Sequence, residues 1–352
     1  MDANKIIRRV QLTGGSTFIV SIPKEWAEKM NIDKGSLVVL SLESDGSIRL
    51  VPSSRRPEPL AAAEIRVRKG MSHGSVLREI MSMYLTGYKT IRVVFSSEDL
   101  EFRKALKDVI TRKLIGVEIL HEDSREMVLQ ILVNVEDLPV SSILTKMLDV
   151  SLSMLADIKA ALESDGKILL SDVSSRDDII DKLYLYGLRQ LHTGLRGVIS
   201  LEEIGLQKVD EVLHYAMVLK SLERIGDHTT AIALTLGELR DRGRVGKELI
   251  ALTDRTSQFI KSALNAFMTR DKDSANRLLD VDAVELKNFE NDVFRKLSLE
   301  VPEEVSTVRT IIGSYRRILE YGTDILETTI DLQSEHSSAP HNLALSRTRA
   351  QH

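Results

Sequence analysis

Three rhythms of apolar and polar residues divide the chain. From Ile6 to Pro52, β-branched residues alternate with polar ones around Gly14, Gly15, Gly35 and Gly46, the pattern of short strands joined by tight turns. One brief helix interrupts them: Pro23 suits a first turn, where no backbone donor is needed, and "KEWAEKM" supplies helix formers before Asn31 and Gly35 end it. Residues 51–64, "VPSSRRPEPLAAAE", carry three prolines and two serines and read as a linker. Between 64 and 140 strands interleave with amphipathic helices: "EIRVRKG", "KTIRVVFS" and the hairpin "VEILHEDSREMVLQILV" are strands, while "GSVLREIMSMYLTG" and "EDLEFRKALKDVITRKL" are helices. That order predicts a small α/β sandwich with its helices on one face. At its first helix, "KGMSHGS" presents backbone donors that suit either an anion or plain capping.

Beyond Ser141 the strand signal disappears and apolar residues recur at three- and four-residue spacing. The periodicity predicts helices over 142–165, 175–197, 206–240, 246–270, 272–299 and 303–332, a helical bundle in which the order medium, medium, long occurs twice, as an internal repeat would have it. The last residues, 333–352, contain Pro340 and lack periodicity, which predicts a disordered tail. The organisation expected is therefore multidomain: a β unit at 1–54, a linker at 55–63, an α/β domain at 64–140, an all-α domain at 141–332 and the tail.

Composition narrows the chemistry. With 352 residues, 43% of them hydrophobic, the chain can bury more than one core. A net charge of −4 excludes a chain-wide basic surface and leaves room only for a local one. There is no cysteine, so a metal must be held by carboxylate or imidazole, which favours hard cations. Neither a spanning apolar run nor a signal-peptide core is present, which predicts a cytoplasmic protein without membrane insertion.

The candidate site lies in "KSLERIGDHTTAIALTL", residues 220–236, where Glu223 and Asp227 stand four apart in one helix. Overlaying the third helix on the sixth brings Leu222, Glu223 and Asp227 onto Leu319, Glu320 and Asp324, the same pattern 97 positions later. Residues four apart share a helix face, so each pair projects two carboxylates together at a cost of roughly 0.2 to 0.5 kcal/mol. A divalent or iron-type cation reverses that sign. The alternative is a solvated face with intrahelical pairs Lys220 to Glu223 and Arg316 to Glu320. Gly226 and Gly322 within the motifs would admit a neighbouring helix or an ion. The preceding helix of each repeat offers further acids, Asp178 and Asp181 in the first and Asp282 and Glu285 in the second, which would complete a coordination shell or serve the helix dipole.

"LERIGDHTTAIA" resembles the signature of the PhoU family of phosphate-uptake regulators, and its degenerate copy extends the likeness over about residues 140–332. The resemblance implies two tandem three-helix repeats that bind iron or other divalent ions, and a partnership with a phosphate ABC transporter and a signalling protein. Glu223, Asp227, Glu320 and Asp324 would then face metal. The second copy departs from the pattern, with Tyr321, Gly322 and Thr323 for Arg, Ile and Gly, and Ile325 where His228 would recur.

"VSIPKEWAEKMNIDKGSLVVL", residues 20–40, resembles the SpoVT/AbrB family, which implies a swapped-hairpin β-barrel shared by two chains, hence a homodimer, and DNA binding. Lys5, Arg8 and Arg9, with Lys24, Lys29, Arg49, Arg55 and Arg56, are the candidate phosphate contacts. Ala27 and Glu28 oppose that role where a DNA reader would carry a base. Three functions follow in order: a phosphate-responsive DNA-binding regulator; a PhoU-type adaptor that acts on a transporter or signalling partner without DNA; and a carboxylate-bridged metalloenzyme. The last lacks the usual Glu-x-x-His ligand set, because His228, adjacent to Asp227, is turned about 100° away.

Overall fold

The computed structural model describes residues 5–42, 46–53, 60–68, 70–96, 100–132, 138–164 and 167–336. By contacts the chain divides into two units, 1–58 and 59–352.

In the first unit, β1 (Gln11–Thr13) pairs antiparallel with β2 (Thr17–Ile19) across Gly14 and Gly15, both at positive φ. Helix α1 (Lys24–Lys29) follows Pro23, and β3 (Val38–Leu42) pairs antiparallel with β4 (Ile48–Pro52). The two hairpins form separate ladders, so the expected barrel is not closed within one chain. The reason is size: neither hairpin can cover its own apolar side chains, and Phe18, Leu40 and Leu42 are respectively 73%, 62% and 80% exposed. Arg55 and Arg56 and most of the expected linker lie outside the described residues.

The second unit opens with a four-stranded sheet in the order β5-β6-β8-β7. Strand β5 (Ala62–Val67) is parallel to β6 (Thr90–Phe95), while β8 (Glu126–Ile131) runs antiparallel to both β6 and β7 (Val117–Glu122). Helices α2 (His73–Thr86) and α3 (Leu100–Lys113) cover one face, where Ile65, Val93, Met127 and Leu129 meet Val76, Ile80 and Leu106. The opposite face is a ladder of charge: Glu64 takes Arg66 at 2.6 Å and Arg92 at 3.2 Å, and Arg92 also pairs with Glu126. In the Ser/Gly stretch before α2, the Ser72 hydroxyl accepts from the Ser75 amide at 3.2 Å, so it caps the helix.

The bundle comprises α4 (Val140–Glu163), α5 (Lys167–Leu195), α6 (Glu211–Glu238), α7 (Gly243–Thr269), α8 (Lys272–Arg277), α9 (Ala283–Glu300) and α10 (Val305–His336). Expected helix positions recur with three differences: the second helix begins at 167 rather than 175. The third begins at 211 rather than 206, because a 3₁₀ turn at Glu202–Ile204 ends on Gly205 with φ 84°, which reverses the chain. The fifth is split by a π-helical turn at Leu278–Asp282. Helix α6 lies along α10 at the centre, with α5 beside α6, α7 beside α10, and α4 against α5, α6 and α7. The last expected segment is described only to His336. Among the described residues no helix is long and apolar enough to cross a membrane.

The α/β layer docks on α5. Gly87 ends α2 at φ 101°, and a Cβ there would lie 2.8 Å from Thr193 of α5. Arg189, also on α5 and 8% exposed, donates to the carbonyls of Tyr84 and, at 3.0 Å, Tyr88, and its guanidinium lies over the Tyr84 ring at 4.9 Å. A cation at a helix C-terminus is favoured by the dipole and by the unpaired carbonyls it finds there. Arg189→Met is expected to destabilise the second unit by about 2 to 4 kcal/mol, since it strands buried carbonyls, and Arg189→Lys should recover only part of that. Urea unfolding followed by circular dichroism measures both; equal midpoints for all three proteins would refute the clamp.

Candidate metal centre

Helices α5 and α6 cross closely because Gly226 has no side chain: a Cβ at that position would lie 2.6 Å from Ile180 Cδ1 and 3.3 Å from an Asp177 carboxylate oxygen. Around this crossing, Asp181 of α5 and Glu223 and Asp227 of α6 each present an oxygen, and the three oxygens lie within 4.8 Å of one another. All three residues are half-buried. Asp177, one turn before Asp181, adds a fourth carboxyl, with one oxygen buried and without a hydrogen-bond partner. The arrangement is two acidic pairs at four-residue spacing, one on each helix, brought face to face.

The electrostatics follow from this crowding. Burial first, then Asp181, Asp227 and Glu223, push the Asp177 carboxyl up to about 7, with Lys113 opposing. Glu223 is raised by burial and by Asp227, against Lys220 and Arg224. Protein cations attend the rim: Lys220 reaches Glu223 at 2.6 Å, Arg224 reaches Asp227 at 3.1 Å and Glu223 at 3.6 Å, and Lys113 of α3 pairs with Asp181. A hard cation takes several oxygen ligands at about 2.0 to 2.6 Å, with water filling the remainder. Three carboxylates at the observed spacing, and a buried oxygen lacking a donor, fit that donor set.

Of the residues singled out in the sequence, Asp181, Glu223 and Asp227 therefore meet. Asp178 does not join them; it faces α3, 3.9 Å from Arg112 and 3.8 Å from Lys113. Asp177 was not anticipated, although Asp177-x-x-x-Asp181 repeats the four-residue spacing of the α6 pair and was the signal for it. His228 faces away from the cluster, stacking on Tyr321 of α10 with ring centroids 6.0 Å apart. Burial and the nearby Arg317 and Arg224 lower its pKa, which favours the neutral ring.

The second repeat builds something else. Glu320 is half-exposed and pairs with Arg317, Asp324 is exposed, Asp282 meets Arg277 at 3.2 Å, and Glu285 is exposed. Phe259 of α7 fills the notch at Gly322, where a Cβ would lie 2.6 Å from its ring. Arg316, rather than pairing with Glu320, holds the buried Glu290 of α9 at 2.6 Å. Among the described residues, Asp181, Glu223 and Asp227 form the one acid or imidazole group of three close enough to share an ion.

The candidate nucleic-acid contacts Lys5, Arg8, Arg9, Lys24, Lys29 and Arg49 are all exposed. Glu28 of α1 lies 3.7 Å from Lys24 and takes up part of its charge. Two larger hollows, about 490 Å³ on the charged face of the sheet and about 520 Å³ between α4, α7 and α8, contain none of the clustered acids.

Comparison with known proteins separates the same regions. Residues 144–236 match the model of the PhoU domain, and residues 11–58 match that of the antidote-toxin recognition MazE bacterial antitoxin family. The first match spans α4 to α6, and the second lies in the N-terminal unit. A phosphate-specific transport system accessory protein PhoU homolog of Clostridium acetobutylicum is 23% identical over 185 residues, which cover 50% of this chain and 82% of that protein. The crystal structure of PhoU from Pseudomonas aeruginosa superposes with a TM-score of 0.46 at 21% identity, over 56% of this chain and 96% of that one.

Asp177 sets a pH dependence. Its folded value near 7 lies above the ordinary 3.8, so the folded state holds this proton more firmly than the unfolded chain. The associated stability is complete below about pH 4 and is lost as pH rises through 7. In chelator, Asp177→Asn should remove about 1 to 2 kcal/mol of that pH dependence, the shift being discounted for partial exposure. Urea midpoints of both proteins across this range test it, and parallel profiles would contradict the crowding.

Proposed function

We propose that this chain is a non-enzymatic regulator of phosphate supply, in which the α5/α6 carboxylates hold a divalent or iron-type cation and the N-terminal unit dimerises the chain and binds DNA. The observation that carries the reading is the gathering of three carboxylate oxygens, from two helices, within 4.8 Å inside the segment that matches the PhoU domain. The relative from Clostridium acetobutylicum, named as a phosphate-specific transport accessory protein, supports the phosphate role. A transport component or signalling protein is then the natural partner of the helical surface, and the cytoplasm the compartment where it would be met.

The DNA-binding part rests on the N-terminal unit. Its hairpins leave apolar side chains uncovered, which a second copy would bury as a swapped barrel. Pairing would double the exposed Lys5, Arg8 and Arg9, and phosphate contacts supply most non-specific affinity. The adaptor reading, dimeric but without DNA, draws support from Glu28, whose exposed acid beside Lys24 weakens the basic surface. Catalysis is disfavoured by the ligand chemistry, since His228 lies against α10 and, among the described residues, no imidazole joins the acids.

Manganese titration followed by calorimetry should give about one equivalent per chain. Glu223→Ala with Asp227→Ala should abolish it, whereas Glu320→Ala with Asp324→Ala should leave it in place; the reverse pattern would move the centre to the second repeat. For DNA, fluorescence anisotropy at two salt concentrations should show binding that weakens steeply with salt. Replacing Lys5, Arg8 and Arg9 by alanine should reduce the log–log slope by about one for each DNA phosphate that is no longer neutralised. Absence of binding to any duplex at low salt would leave the adaptor.

A further inference from the structure

Lys113 ends α3 in the α/β layer, yet its ammonium is spent on α5: it hydrogen-bonds Asp181 and lies 3.8 Å from Asp178. Asp181 is one corner of the carboxylate triangle, so one of the three candidate ligands is already held by a cation from another layer. The other two corners are attended from their own helix, Glu223 by Lys220, which also lies over the Tyr184 ring of α5 at 4.9 Å, and Asp227 by Arg224, both through i,i+3 pairs. The pair at Asp181 differs in kind because its partners belong to separate elements.

We propose that Lys113 is a tethered counter-ion of the cluster, and that a divalent cation captured by Asp181, Glu223 and Asp227 displaces its ammonium and releases the end of α3 from α5. The inference rests on the reading of the triangle as a cation site and adds the regulation of that site. Two cations cannot share one carboxylate at contact distance without mutual repulsion, and a dication held by three carboxylates outcompetes a monovalent group held chiefly by one.

What each contact is made of says which part would move. The α2 end of the layer is pinned by the buried Arg189 and its carbonyl partners, which no ion at the cluster touches. Helix α3 keeps to its sheet through Phe102, Leu106 and Ile110. Its last turn meets α5 through Lys113, joined by Arg112 at 3.9 Å from Asp178, while Ile115 just beyond it packs on the bundle core. Loss of the Lys113 pair frees that turn while the layer stays anchored at α2. Facing the lysine are Asp177, Asp178 and Asp181 from α5, and beyond Asp181 stand Glu223 and Asp227 of α6 with Arg224 beside them, a net negative setting.

The test uses the full chain, with Lys113→Met, and with Lys113→Arg to retain the charge. Manganese affinity by calorimetry should rise about five- to tenfold in Lys113→Met and stay near wild type in Lys113→Arg. Hydrogen exchange at the last turn of α3 should increase in the wild type on adding manganese, up to the level Lys113→Met shows without it, and manganese should add nothing further to that variant. Equal affinities in wild type and Lys113→Met would overturn the proposal and leave the cation site standing. So would tighter binding in Lys113→Met with unchanged exchange in the wild type, which describes a lysine that repels the ion without being displaced. Failure of manganese to bind either protein sinks the site and its competitor together.

Discussion

Like charge packed between two helices is the constraint around which the first repeat is organised. Asp177, Asp181, Glu223 and Asp227 face one another across a crossing made tight by Gly226, so repulsion and apolar packing act on the same atoms. The apolar contacts win, because Ile180, Leu222 and Ile225 are fully buried on either side and the helices cannot separate without exposing them. The carboxylates must then be neutralised where they stand. The protein supplies three answers at once: a raised proton affinity at Asp177, lysine and arginine from α6 at the rim, and a lysine from the α/β layer. Each is partial, and on the proposed reading that is what would leave the group open to a cation of higher charge.

The second repeat meets the same geometry with a different solution. A glycine again lets a neighbour approach α10, but the neighbour is an aromatic ring, Phe259, and the buried acid, Glu290, has a two-pronged guanidinium of its own in Arg316. A buried carboxylate satisfied by arginine has little to offer an ion, because its lone pairs are already engaged. One scaffold thus carries an acid-rich crossing and an aromatic-filled one, and the asymmetry arises from a few side chains rather than from a change of fold.

Much of this was legible in the chain. Four-residue spacing located Glu223 and Asp227, and the loss of alternation after Ser141 marked the bundle, since both depend on periodicities that a helix imposes locally. What could not be read were facts about partners. Asp178 and Asp177 are adjacent in sequence, and only the direction of α3 decides that the first pairs with Arg112 and Lys113 while the second faces α6. The expectation of a second acidic centre took no account of Phe259, which comes from another helix and carries no pattern tying it to Gly322. Open hairpins in the first unit belong to the same class: their strand pattern is local, while whatever covers Phe18 and Leu42 is not.

Helix α5 carries two of the joints that hold the α/β layer to the bundle. One of its faces supplies Ile180 and Asp181 to the crossing with α6; another receives α2 through Arg189 and Thr193 and α3 through Asp178 and Asp181. Asp181 serves both faces, so its charge cannot be satisfied at one without affecting the other. Buried carbonyls clamped by arginine give a joint that is indifferent to ions, whereas a lysine–carboxylate pair gives one that any competing cation weakens. If the cluster takes up a cation as proposed, two kinds of joint set side by side along a single helix would turn a local change in charge into a directed change in contact, because one end would hold while the other yielded.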